Sequence, residues 1–203
     1  GLYREARASG EDLLRRDDAD ADDAVAISEA LRRGGDTTEA LTILEAALLE
    51  EGEDRDLLVQ AARASLDAGL PRAAGRFLER AATLDPALAL EAAEAYRRGN
   101  DLDAALRLNA DVPEPLAKAR QRLGLFIDAG AWDRAVSLEG RLERLGLGRD
   151  DGIRYGLAYS YFRLGDMPAA ERWLGDISDP AAFRRATDLR RAIAACAEGG
   201  SCP

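Results

Sequence analysis

Apolar positions along this chain fall at helical intervals, and the pattern restarts after glycines. Ala40, Leu44 and Ala47 are spaced by four and then three, as are Ala74, Leu78 and Ala81, so each trio lies on one face of a helix. Ahead of the glycines, Ile27, Ser28 and Leu31 mark the inner face of one helix, and Leu157, Ala158 and Tyr161 that of another. Six times a glycine is followed five residues later by alanine: Gly1 and Ala6, Gly35 and Ala40, Gly69 and Ala74, Gly99 and Ala104, Gly130 and Ala135, Gly165 and Ala170. Successive glycines are 34, 34, 30, 31 and 35 residues apart.

A glycine after an apolar run takes the left-handed conformation that ends a helix, and the polar residues beyond it start the next. Each unit therefore reads as a helical hairpin, with repeats over 20–52, 54–84, 86–111, 113–146 and 150–177. Residues 1–16 read as the second helix of a repeat whose first helix lies upstream. Residues 179–203 read as a capping helix and tail that cover the last apolar face. Asp85-Pro86 and Asp179-Pro180 each set a cap residue before a proline at the first helical position. The third unit departs from the rule: Asn109 to Pro115 carries two prolines, which stop its second helix early. That segment is expected to act as a joint between two straighter sub-arrays.

The stretch 157–174, LAYSYFRLGDMPAAERWL, resembles the tetratricopeptide repeat family, whose first helix carries a leucine, a small residue and a tyrosine. Residues 55–86 fit the same pattern with small residues in place of the aromatics. The resemblance implies an all-α, right-handed α-solenoid of helical hairpins with a C-terminal capping helix. It further implies a concave groove, lined by first helices, that holds another protein. Carried over position by position, the groove comprises Arg32, Arg33, Arg63, Tyr96, Arg97, Arg120, Tyr155, Tyr159, Phe162 and Arg163. Tyrosine and arginine anchor interfaces because each joins a large apolar body to a polar tip. A second reading stands beside this one, in which the aromatics pack between hairpins and the arginines are ordinary solvated or ion-paired side chains. The family's carboxylate-gripping subgroup is not matched, because Val25, Val59 and Ala89 stand where its leading lysine recurs.

Composition agrees with helices: 47% of residues are apolar, mostly alanine and leucine, while aromatics are 5%. A formal charge of −10 repels phosphate backbones and anionic lipid, so nucleic acid is not expected as a partner. Lys118 is the sole lysine. No apolar run approaches the ~20 residues that span a bilayer. The chain has no histidine, and no catalytic constellation, metal site or cofactor motif is expected. The acidic run Asp17, Asp18, Asp20, Asp22, Asp23 lacks the spacing of a calcium loop.

Cys196 and Cys202 flank a glycine-containing turn, and a disulfide between them is feasible; closing so short a loop contributes roughly 2 kcal/mol. A bond implies an oxidising compartment such as a bacterial periplasm. The alternative is a buried thiol at Cys196 and an exposed one at Cys202, in a cytoplasmic adaptor. The 157–174 stretch, the helix DPAAFRRATDLRRA at 179–192 and the cysteine-bracketed tail together resemble the periplasmic repeat region of exopolysaccharide export porins of the Pel type. That resemblance implies a scaffold that recruits a partner enzyme to a secretion assembly. A further alternative is direct polysaccharide binding by Tyr96, Tyr155, Tyr159 and Phe162.

Overall fold

A computed structural model describes residues 20–175, 177–198 and 202. The expected helix over 1–16 lies outside them. The described chain is helical throughout and contains no strand, in the manner of an all-α solenoid. It resolves into two compact units, one closing at Pro113 and the other opening at Glu114. The boundary falls inside the proline-bearing segment at 109–115.

The first unit holds three hairpins: α1 (Ala21–Arg33) with α2 (Thr37–Glu50), α3 (Arg55–Asp67) with α4 (Pro71–Leu84), and α5 (Ala89–Arg98) with α6 (Leu102–Asp111). The second holds α7 (Pro115–Asp128), α8 (Trp132–Val136), α9 (Glu139–Arg144), α10 (Asp151–Arg163), α11 (Met167–Leu174) and α12 (Pro180–Ala197). Each unit has its own apolar cluster. Ala24, Leu44, Leu57, Leu58 and Ala81 belong to the first, and Leu123, Leu142, Leu157, Leu174 and Leu189 to the second.

Five turns between paired helices share one hydrogen-bond pattern. The N–H groups of Asp36, Leu70, Asp101, Ala131 and Asp166 donate to the carbonyls of Leu31, Ser65, Tyr96, Phe126 and Tyr161 over 2.8 to 3.0 Å. The residue before each donor is left-handed: Gly35, Gly69, Asn100, Gly130 and Gly165. In the third turn the left-handed residue is thus Asn100 at φ 55°, and the expected Gly99 sits one place too early with an ordinary negative φ. Asparagine tolerates this region because its short polar side chain bonds locally. With that register, the alanine five residues on is Ala40, Ala74, Ala105, Ala135 or Ala170, and all five are fully buried. A larger side chain there would push the paired helix axes apart.

Seven residues before each turn stand Ser28, Ala62, Ala93, Leu123 and Ala158, every one buried. Leu123 is large where the others are small. Gly156 makes room for it, since a Cβ at Gly156 would come within 3.1 Å of Ile127 and 3.2 Å of Leu123. The buried hydroxyls of Ser28, Ser65 and Ser160 each donate to a carbonyl of their own helix at 2.8 Å, so none of these three hydroxyls is stranded.

The fourth hairpin differs from the expected two long helices over 113–146. Its second helix is divided into α8 and α9 at Ser137 and Leu138, where Leu138 N–H donates to Ala135 and Arg141 N–H donates to Leu138, both three residues back. Nine residues after its turn stands Glu139, where the first, second and fifth hairpins have Leu44, Leu78 and Leu174. A carboxylate at that place does not bury in apolar surroundings, and it instead accepts from the Tyr161 hydroxyl.

Candidate functional site

Along α10, Tyr155, Tyr159 and Arg163 are spaced by four and share one face. The two tyrosine rings are near-parallel, 14° apart with centroids at 6.3 Å. Tyr159 meets the ring of Trp132 edge-on at 5.5 Å and 86°. Trp132 opens α8, two residues past the left-handed Gly130, and is placed against α10 by that turn. The guanidinium of Arg163 lies 4.7 Å over the Trp132 ring and donates to the Tyr159 hydroxyl at 3.2 Å. At the other end Arg185, from α12, stands 4.8 Å over Tyr155.

Three helices therefore contribute to one ladder, Arg185, Tyr155, Tyr159, Trp132 and Arg163, in which cations cap a run of rings. The tyrosines and Trp132 are half-buried, while both arginines are exposed. Burial pushes the Tyr155 hydroxyl above its ordinary pKa, with Arg185 opposing. Among the described residues neither Arg163 nor Arg185 forms an ion pair with a carboxylate. The ladder has no nucleophile, general base or metal-binding set. It offers flat apolar faces and two cationic tips, which is binding chemistry.

The other expected groove residues are distributed differently. Tyr96 is a correction: it is 5% exposed, its ring lies against the backbone of Gly75, and its hydroxyl donates to Glu79. It packs one hairpin on the next and is closed to any ligand, polysaccharide included. Arg32 and Arg120 serve as ties between neighbouring hairpins. Arg32 reaches Asp67 at 2.7 Å and Gln60 at 3.2 Å, and Arg120 pairs with Asp150, the carboxylate that also caps α10. Arg33 is exposed and paired with Glu29, Arg97 pairs with Glu94 at 3.3 Å, and Arg63 is exposed. Phe162 is half-buried and packs on the apolar cluster of the second unit. The first-unit residues and the ladder lie in different units. Trp132 and Arg185 were not among the expected site residues; the signal for Trp132 was an aromatic at the exposed start of a second helix, and Arg185 carried none.

Cys196 and Cys202 have Cα atoms 5.4 Å apart, within the span of a disulfide. Among the described residues no helix is long and apolar enough to cross a membrane, and no group of three or more acidic or sulfur ligands is placed to hold a metal.

No family model and no curated protein matches the sequence. Solved structures do match in fold. A crystal structure of MamA aligns with a TM-score of 0.61 at 16% identity, over 84% of this chain and 92% of that one. MamA from Desulfovibrio magneticus, residues 41 to the end, aligns at 0.57 and 16% identity, over 83% and 94%. A tetratricopeptide repeat protein from Parabacteroides merdae aligns at 0.56 and 16%, over 97% of this chain and 86% of its own. At such identity the likeness concerns the fold, which is that of tetratricopeptide arrays.

Proposed function

We propose that this chain is a protein-binding scaffold and that the aromatic and arginine ladder on α10 is where a partner docks. The observation that carries this reading is the ladder itself: three rings and two guanidinium groups that form no ion pair among the described residues, held by three different helices. Such rigid anchors lose little conformational entropy when a ligand arrives, which favours affinity. The tetratricopeptide-type fold supports the same reading, because hairpin arrays present side chains from successive elements on one framework.

The wider setting we propose is a larger bacterial envelope protein that recruits a partner to an export assembly, in the periplasm. Its support is the likeness of the C-terminal region to export porins and the spacing of Cys196 and Cys202, which suits a disulfide. Thiol counting on protein purified without reductant tests the compartment: two free thiols would favour a cytoplasmic adaptor instead. A polysaccharide reading keeps Tyr155 and Tyr159, whose near-parallel rings resemble a sugar-stacking platform. Carbohydrate titration of wild type and Tyr159→Ala decides it, and no response in either removes it.

The scaffold reading is tested by affinity capture with wild type, Tyr159→Ala and Arg163→Glu. Both side chains are partly or wholly exposed, so helicity should be unchanged while capture falls at least about tenfold, the size of one lost anchor. Equal capture by all three proteins would move the docking surface elsewhere.

A further inference from the structure

The chain's charge is divided unevenly. Residues 1–113 contain 25 Asp and Glu against 14 Arg, whereas residues 114–203 contain 13 against 13 Arg and Lys118. The net negative charge thus belongs to the first unit, since 25 against 14 leaves −11 there and 13 against 14 leaves +1 in the second. Within it one place stands out, the C-terminal end of α2.

Leu49 there is 88% exposed, more than Leu70, Leu84, Leu116, Leu164 or Phe183, the other large apolar side chains on the surface. Glu50 and Glu51 follow it, both exposed, and among the described residues neither forms an ion pair. A helix C-terminus carries partial negative charge from its free carbonyls and is stabilised by cations. The last turn of α2 has no basic residue and ends on these two carboxylates. It therefore combines an unburied apolar side chain with two carboxylates that form no ion pair among the described residues. The ladder in the second unit is its chemical complement, having half-buried aromatic rings and two exposed guanidinium groups that form no ion pair among the described residues.

We propose that the end of α2 in one copy of this chain docks on the ladder of a second copy. Leu49 lies against the rings of Tyr155, Tyr159 and Trp132, and Glu50 and Glu51 meet the guanidinium groups of Arg163 and Arg185. This rests on the reading of the ladder as a protein-docking surface and names its occupant. The contact joins unlike patches. Reciprocal pairing closes a dimer, and one-sided pairing leaves a free patch at each end and continues into longer assemblies.

The test is sedimentation equilibrium of the 203-residue chain at about 20 mM and about 500 mM salt, where the Debye length falls from about 20 Å to about 4 Å. Two swapped proteins accompany it, Glu50→Arg with Glu51→Arg, and Arg163→Glu with Arg185→Glu. Leu49→Glu adds an independent variant at a site too exposed to matter for folding, and far-UV circular dichroism checks the helicity of each. The wild type is expected above its monomer mass of 21.8 kDa at low salt and to dissociate at high salt. Each variant alone is expected to associate at least about tenfold more weakly, and an equimolar mixture of the two charge-swapped proteins to regain association. A wild type that stays monomeric, or swapped proteins that associate like wild type, overturns the proposal. If the wild type is monomeric but Tyr159→Ala still loses capture of another protein, self-docking fails and the scaffold reading survives.

Discussion

At the scale of single residues, fit between hairpins decides which aromatic is structural and which is available. Tyr96 lies four residues before its turn, as Tyr161 does, and both hydroxyls donate to a carboxylate of the preceding hairpin, Glu79 and Glu139. Tyr96 lies flat on the second helix of that hairpin because Gly75 has no side chain. A Cβ there would sit 2.9 to 3.0 Å from three carbons of the Tyr96 ring. Gly75→Ala gains helix propensity of about 1 kcal/mol but forces a buried ring to move. We expect net destabilisation of about 1 to 2 kcal/mol, read as a lower urea midpoint; a stabilised variant would mean that the ring yields freely. Burial, and then the adjoining carboxylate, push both Tyr96 and Tyr161 up to about 12. The fold favours the neutral hydroxyl, so its contribution is complete below the unfolded value of about 10 and is lost as pH rises through about 12. Stability of wild type should therefore decline across that interval, and more steeply than in a Tyr96→Phe, Tyr161→Phe double variant; parallel profiles would contradict the assignment.

At the scale of elements, α12 is held by the apolar burial of Ala182, Ala186, Leu189 and Ile193, and its start is tied down by one carboxylate. Asp151 accepts from the N–H of Asp179 at 2.6 Å, the N–H of Ser178 at 2.9 Å and the Ser178 hydroxyl at 3.2 Å, while Asp179 caps α12 through Ala181 and Ala182. The Asp179 N–H, followed by that of Ser178, holds the Asp151 carboxyl below its ordinary value against the opposing effect of burial. A lowered value means the contribution is present above the ordinary carboxylate range near ~3.9 and is lost as pH falls below it. Amide exchange in α12, corrected for intrinsic rates, should accelerate on acidification in wild type and not in Asp151→Asn. Equal acid sensitivity of the two proteins would place the switch elsewhere. The hairpins themselves were legible in the sequence because glycine and the alanine five residues on are both fixed by sterics. Asn100 escaped because asparagine reaches the left-handed region without announcing it, and Gly99 beside it imitates the signal. The division of α8 from α9 escaped as well, since neither proline nor glycine stands at Ser137 or Leu138 to mark it. On α10 the spacing of Tyr155, Tyr159 and Arg163 was readable from helical periodicity. Burial of Tyr96 was not, because it is set by a glycine on another helix.

At the scale of the whole molecule, the two units differ in charge and in what reports on them. Both tryptophans, Trp132 and Trp173, belong to the second unit, so tryptophan fluorescence follows that unit alone, whereas helical circular dichroism follows both. The net negative charge lies in the first unit, and self-repulsion of like charges opposes compaction. Its apolar cluster, moreover, is built mainly of alanine and leucine, while the cluster of the second includes Trp173, with Phe126, Tyr155, Tyr159, Tyr161 and Phe162 packed on it. Aromatic side chains bury more area apiece and stabilise accordingly. The first unit should thus unfold at lower urea concentration than the second at low salt. Added salt screens the repulsion and should raise the earlier transition more than the later one, so that the circular dichroism midpoint approaches the fluorescence midpoint. Coincident midpoints at every salt concentration would show that the units unfold as one, and that the charge division has no bearing on stability.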